Sequence, residues 1–117
     1  MAAKSSDAPS PKERRPKRRK QVLLAGVVTY ADGAHSFDCT IRDLSETGAR
    51  VTVGKGPQFP TDFFLINMRD RTAYDAKVVW IDGSKIGVTF KKSYPLSGIV
   101  DPSLTYLRRL FVSKAAR

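Results

Sequence analysis

Two stretches of this chain carry side chains whose types and spacing could do chemistry. The first is Asp43-Leu44-Ser45-Glu46-Thr47-Gly48, where a carboxylate, a hydroxyl two residues on and a glycine three further share one polar bend. Together they offer a fixed acceptor, a donor/acceptor and a permissive backbone, which suits holding the flat polar edge of a ligand. The same residues also suit a bend that only ties itself down, with Asp43 and Ser45 bonding to their own backbone. The second stretch is Lys12-Glu13-Arg14-Arg15-Pro16-Lys17-Arg18-Arg19-Lys20, with seven basic residues in nine. It contains two overlapping arginine pairs four apart, Arg14 with Arg18 and Arg15 with Arg19. Guanidinium forks bind phosphate oxygens or a guanine edge two bonds at a time and stack flat on bases. The plainer alternative is a nonspecific polybasic arm for nucleic acid or anionic lipid.

Few other residues could support catalysis. The single histidine, His35, sits beside a hairpin signal with no second histidine or paired cysteine, which argues against a metal site. Ser45 has no base in its motif, and Asp43 with Glu46 could act as paired carboxylates only if both faced one cleft. The expectation is a binding protein, not an enzyme, with no metal and no cofactor. A net charge of +10 implies an anionic partner. Most of it lies in the first 20 residues, which hold eight Lys/Arg against two acids. One cysteine excludes an internal disulfide and a cysteine-based metal cluster, and fits a reducing, cytoplasmic setting. No apolar run approaches the ~20 residues of a spanning helix, and the start lacks the apolar core of a signal peptide.

The 117 residues suffice for one core. Residues 1–12 have little to bury and read as a disordered tail. Residues 13–98 read as the folded domain together with its arginine-rich arm, 13–20, and residues 99–117 as a C-terminal helix. Six short segments alternate or are β-branched: Val22 to Tyr30, His35 to Arg42, Ala49 to Val53, Asp62 to Met68, Ala73 to Ile81 and Lys85 to Phe90. Asp32-Gly33 and Asp82-Gly83 are hairpin signals, the Asp43 to Gly48 bend is a third connection, and Gly54 to Pro57 breaks the chain. In the second segment Phe37, Cys39 and Ile41 share one face, so Cys39 reads as a small core residue; in the fifth, Ala76, Val78 and Trp80 share one. Such strands predict an all-β, six-stranded antiparallel barrel, since closure removes exposed edges. Asp101 can cap and Pro102 can open a helix whose stripe of Leu104, Leu107, Leu110 and Phe111 is expected to cover an open end of the barrel. A partner contact is the alternative for that stripe.

Across residues 13 to 92 the chain resembles the PilZ domain of bacteria. Glu13 to Arg19 is similar to that family's RxxxR element and Asp43 to Gly48 to its DxSxxG element. Ala76-Lys77-Val78-Val79-Trp80 followed by Ile86-Gly87-Val88-Thr89-Phe90 resembles its late strand pair. The resemblance implies a receptor for the second messenger cyclic di-GMP, with Arg14, Arg15, Arg18 and Arg19 supplying the grip on guanines and phosphates and Asp43, Ser45 and Gly48 the guanine edge. Arg15 with Arg19 is the better match, although Arg14 with Arg18 has the same spacing. It further implies a conformational change of the arm that regulates a downstream protein in motility, adhesion or exopolysaccharide output. Two other roles fit the same residues: a ligand-independent interaction protein of this fold, and a barrel binding nucleic acid nonspecifically. The second lacks an aromatic-rich sheet face for stacking bases, because Phe37, Phe63 and Tyr74 sit where a core would use them.

Overall fold

The computed structural model describes residues 20–54 and 60–116. The tail and the arm through Arg19, with Arg14, Arg15 and Arg18, lie outside the described residues, as does most of the Gly54 to Pro57 break. The six expected segments all form strands: β1 Lys20–Tyr30, β2 His35–Leu44, β3 Gly48–Val53, β4 Asp62–Asn67, β5 Thr72–Asp82 and β6 Lys85–Pro95. They close into an antiparallel barrel in the order β1-β2-β3-β6-β5-β4. Several strands outrun the sequence reading: β1 starts two residues early, at Lys20, β2 runs two residues further, to Leu44, and β6 runs on to Pro95 because its second half pairs with Thr72 to Asp75 of β5.

Alternation fills the interior with Leu24, Val28, Cys39, Ile41, Ala49, Val51, Phe63, Leu65, Ala76, Ile86 and Val88. Cys39 is the core residue expected, and its thiol is pushed up to about 12 by burial and, secondarily, by the charge of Asp38. The hairpin between β1 and β2 is a tight 3-10 turn whose Ala31, Asp32 and Gly33 all take positive φ. The turn between β4 and β5 is built on buried Asn67, whose side-chain oxygen accepts from the backbone N–H of Arg69 and Asp70 at 3.1 and 3.2 Å. Its amide donates to Asp70 at 3.0 Å.

Asp101 does cap, accepting from the Ser103 N–H at 2.9 Å, and Pro102–Leu104 form a 3-10 turn before α1, Thr105–Ala115. The stripe is used differently from the expectation. Leu107 is fully buried, and Leu104, Leu110 and Phe111 pack with it on Val27, Ile66 and Ala73. Those residues alternate with the interior set, so α1 lies against the outer wall of β1, β4 and β5, not over an open end. Arg108 fastens it there, donating to the carbonyls of Leu96 and Ile99 at 3.4 and 3.1 Å, and Lys114 pairs with Asp38 at 3.2 Å.

Candidate functional site

The polar bend is shorter than its motif. Asp43 and Leu44 belong to β2 and Gly48 to β3, which leaves Ser45, Glu46 and Thr47 to turn the chain. Ser45 holds the bend by itself: its hydroxyl accepts from the backbone N–H groups of Thr47 and Gly48, each at 3.2 Å, and it also meets the Gly48 carbonyl at 3.2 Å. The bend is fastened to β6 as well, the Thr47 carbonyl accepting from Phe90 N–H at 2.8 Å and the Thr89 hydroxyl at 3.2 Å. For Ser45, local tying-down is therefore what the geometry shows.

Gly48 corrects a natural expectation for a glycine ending a bend, that it is there for positive φ. The positive-φ glycines among the described residues are Gly33 and Gly83. Gly48 is extended, and a Cβ there would run into the Val88 carbonyl oxygen. It is glycine so that β6 can approach.

Asp43 behaves unlike Ser45. Simple alternation from Phe37, Cys39 and Ile41 would point it inward, but the register between β2 and β3 slips between Ile41 and Asp43. Arg42 is the extra residue of this bulge, and bulges re-aim the side chains that follow them. Asp43 is thereby turned to the outer wall, opposite Arg50. Arg50 Nε lies 2.6 Å from Asp43 Oδ2, an ion pair in which the N–H is not aligned on the carboxylate. The Asp43 side chain is only 12% exposed against 36% for Arg50.

The row continues across the barrel. Arg50 stands opposite Gly87 on β6, and Gly87 opposite Trp80 on β5. A second register slip, between Val78 and Trp80, does for the indole what the first does for the carboxylate. Val78 packs toward the interior, whereas Trp80 is swung outside, 39% exposed, over the bare backbone of Gly87, where a Cβ would collide with the ring. On the other flank Gln21 of β1 stands opposite Asp43. One outer row thus reads Gln21, Asp43, Arg50, Gly87, Trp80; from Asp43 to Trp80 it crosses three strand spacings, about 14 Å.

The described residues of the sequence-derived site are thus Asp43 on this row, with Ser45 and Gly48 at its edge. Arg50 and Trp80 are additions that sequence reasoning missed. A glycine inside a strand pattern, Gly87, was the available signal, since it marks a close approach of another group. The arginines enter through connectivity: β1 begins at Lys20 opposite Leu44, so the chain that precedes it joins the barrel beside the bend.

Compared with known proteins, residues 12–97 match the family model described as the PilZ domain. No curated protein matches the chain.

Proposed function

The chain belongs to the PilZ domain family, and on that premise we propose that it binds cyclic di-GMP on the outer wall of its barrel, between the arginine-rich segment and the row from Asp43 to Trp80. The observation that carries this reading is the outward carboxylate of Asp43, which pairs in register with Gln21, one residue from the point where the arginine-rich segment joins. A guanine edge offers N1 and N2 donors, which a carboxylate accepts, and O6 and N7 acceptors, which a guanidinium fork satisfies. Arg15 and Arg19, or the overlapping Arg14 and Arg18, would supply the forks and neutralise the two phosphates. Arg15 lies five residues upstream of Lys20, within a reach of at most roughly 18 Å. Trp80 offers a π-face at the far end of the row, where base stacking contributes about 1 to 3 kcal/mol. Gly48 and Ser45 keep the bend low and fixed, so that the base can lie beside it.

The family consists of binding and adaptor domains, and the chain acts as a receptor of that kind. Closure of residues 13–19 over the nucleotide is the change passed to a downstream protein. Ordering such a segment costs on the order of 2 to 5 kcal/mol of the gross interaction energy. The site's arginines and carboxylate bind, and no step of bond-making is assigned to them. Among the described residues no helix is long and apolar enough to cross a membrane. A cytoplasmic setting follows from the reading of the ligand as a second messenger.

One observation favours a second reading, a ligand-independent interaction protein: Asp43 already has a partner in Arg50. Binding would have to share or exchange that contact. Calorimetry with cyclic di-GMP separates the two. A saturable heat with a defined copy number per chain is expected. No heat at tens of micromolar nucleotide would sink the receptor reading, and displacement by an unrelated oligonucleotide of equal charge would assign the arm to nonspecific anion binding.

A further inference from the structure

The outward row contains a charge that the chain satisfies only in part. Asp43 is among the buried polar residues although its side chain is turned to the outer wall. A carboxylate withdrawn from water needs a compensating charge, and it also needs donors for its lone pairs, of which it has about four. Arg50 supplies the charge. It stands between Asp43 on β2 and Gly87 on β6, so the carboxylate is its one side-chain neighbour in register. Its Nε lies 2.6 Å from Oδ2, yet that N–H is buried with no acceptor in line. Among the described residues no other donor meets the carboxylate. The pair is therefore Coulombic: the charge of Asp43 is balanced and its acceptors are unspent. A guanine presents N1–H and N2–H side by side, two donors that match the two carboxylate oxygens. Both can be received without displacing Arg50, because Arg50 holds Asp43 by proximity and not by an aligned hydrogen bond.

We propose that Arg50 is a positioning residue for the nucleotide, a role that rests on the receptor reading above: it fixes the Asp43 carboxylate and balances its charge, and leaves the acceptors to the guanine edge. Arg50 makes no contact with the base in this role and acts through Asp43. That separates it from a competitor, which would spend the lone pairs of Asp43 on its own aligned bonds. It also separates it from a general attractant, whose pull on an anion would not pass through Asp43. The chemistry of the pair says which replacement should serve. Where a guanidinium grips a carboxylate as a fork, lysine is a poor substitute; where it acts as a nearby charge, lysine suffices and glutamine does not.

The test uses the full chain. In calorimetry with cyclic di-GMP, Arg50→Gln is expected to bind about ten-fold more weakly than the parent, a coupling typical of two side chains in contact. Arg50→Lys should stay within about two-fold of the parent, since charge and not a fork is required. Circular dichroism should show both variants folded. A cycle with Asp43→Asn, measured at raised nucleotide concentration, asks whether Arg50 works through the carboxylate. Adding Arg50→Gln to Asp43→Asn should cause no further loss. An undiminished loss in that background would mean that Arg50 attracts or touches the nucleotide itself, and overturns the proposal. Tighter binding by Arg50→Gln also overturns it, because Arg50 would then be a competitor. A second readout needs no nucleotide: three-bond NMR couplings at the Asp43 side chain should report one rotamer in the parent and in Arg50→Lys, and averaging among rotamers in Arg50→Gln. Couplings unchanged in Arg50→Gln overturn the positioning role whatever the calorimetry shows. If the couplings respond as expected and the parent gives no nucleotide heat, the hold of Arg50 on Asp43 stands and the receptor reading alone falls.

Discussion

The barrel has two outer walls, and the chain treats them in opposite ways. Along β1, β4 and the first half of β5 the outward residues are Val27, Ile66 and Ala73, and α1 buries them completely. Across β2, β3, β6 and the second half of β5 the outward row is Asp43, Arg50, Gly87 and Trp80, and among the described residues no helix lies over it. Around Trp80 even Val79 and Ile81 are left 59% and 64% exposed. A barrel needs only its interior to close, so each outer wall is available either for further burial or for a partner. This chain gives one wall to its helix and sets a carboxylate, a guanidinium and an indole in one row on the other, with Asp43 the most buried of the three.

Substitutions on the two walls should therefore act on different quantities. The largest effect is expected under the helix. Leu107→Ala leaves a cavity beneath α1 and should cost about 2 to 5 kcal/mol of stability in chemical denaturation. Cyclic di-GMP affinity of the folded fraction should stay unchanged; a parallel loss of affinity would show that the walls are coupled. Next, replacing Arg15 and Arg19 together by Lys preserves net charge but removes bidentate and stacking contacts. With a charge-assisted hydrogen bond worth roughly 1.5 to 3 kcal/mol, binding should weaken about 100-fold with no change in melting temperature. Unaltered affinity would reduce the segment to an electrostatic tether.

Gly48→Val tests the seam between the bend and β6. The added side chain meets the Val88 carbonyl, and the resulting backbone shift should lower stability by about 1 to 3 kcal/mol while moving the bend and weakening binding. An unchanged thermal midpoint would show that β6 yields freely. The smallest effect belongs to Trp80→Ala. Because the indole is partly exposed over Gly87, stability should change by less than ~1 kcal/mol, whereas losing one stacked base should weaken binding about five-fold or more. A large drop in stability with normal affinity would return Trp80 to the structural side.

Much of this architecture was legible in the sequence because it depends on local rules. Period-2 alternation from Val22 to Phe90 marks the strands, Asp-Gly pairs mark two hairpins, and Asp101-Pro102 marks the entry to the helix. Asp43, Ser45 and Gly48 could be drawn together from their residue types because they are neighbours in one polar bend. Ser45 bonds within its own bend, as its residue type allowed. That Gly48 makes room for β6 was not readable, because it depends on which strand pairs with β3.

The sequence by itself determined six strands, one amphipathic helix, a basic N-terminal segment and the side chains available for recognition, since these follow from spacing, turn chemistry and composition. Only the tertiary structure decided which wall the helix covers and which side chains face out together. The physical reason is register. One extra residue at Arg42 and another at Val79 turn Asp43 and Trp80 from the face that alternation gives them to the face they share. Such slips are set by pairing with the neighbouring strand, where Asp43 meets Arg50 of β3 and Trp80 meets Gly87 of β6, and not by the side-chain pattern of either strand alone.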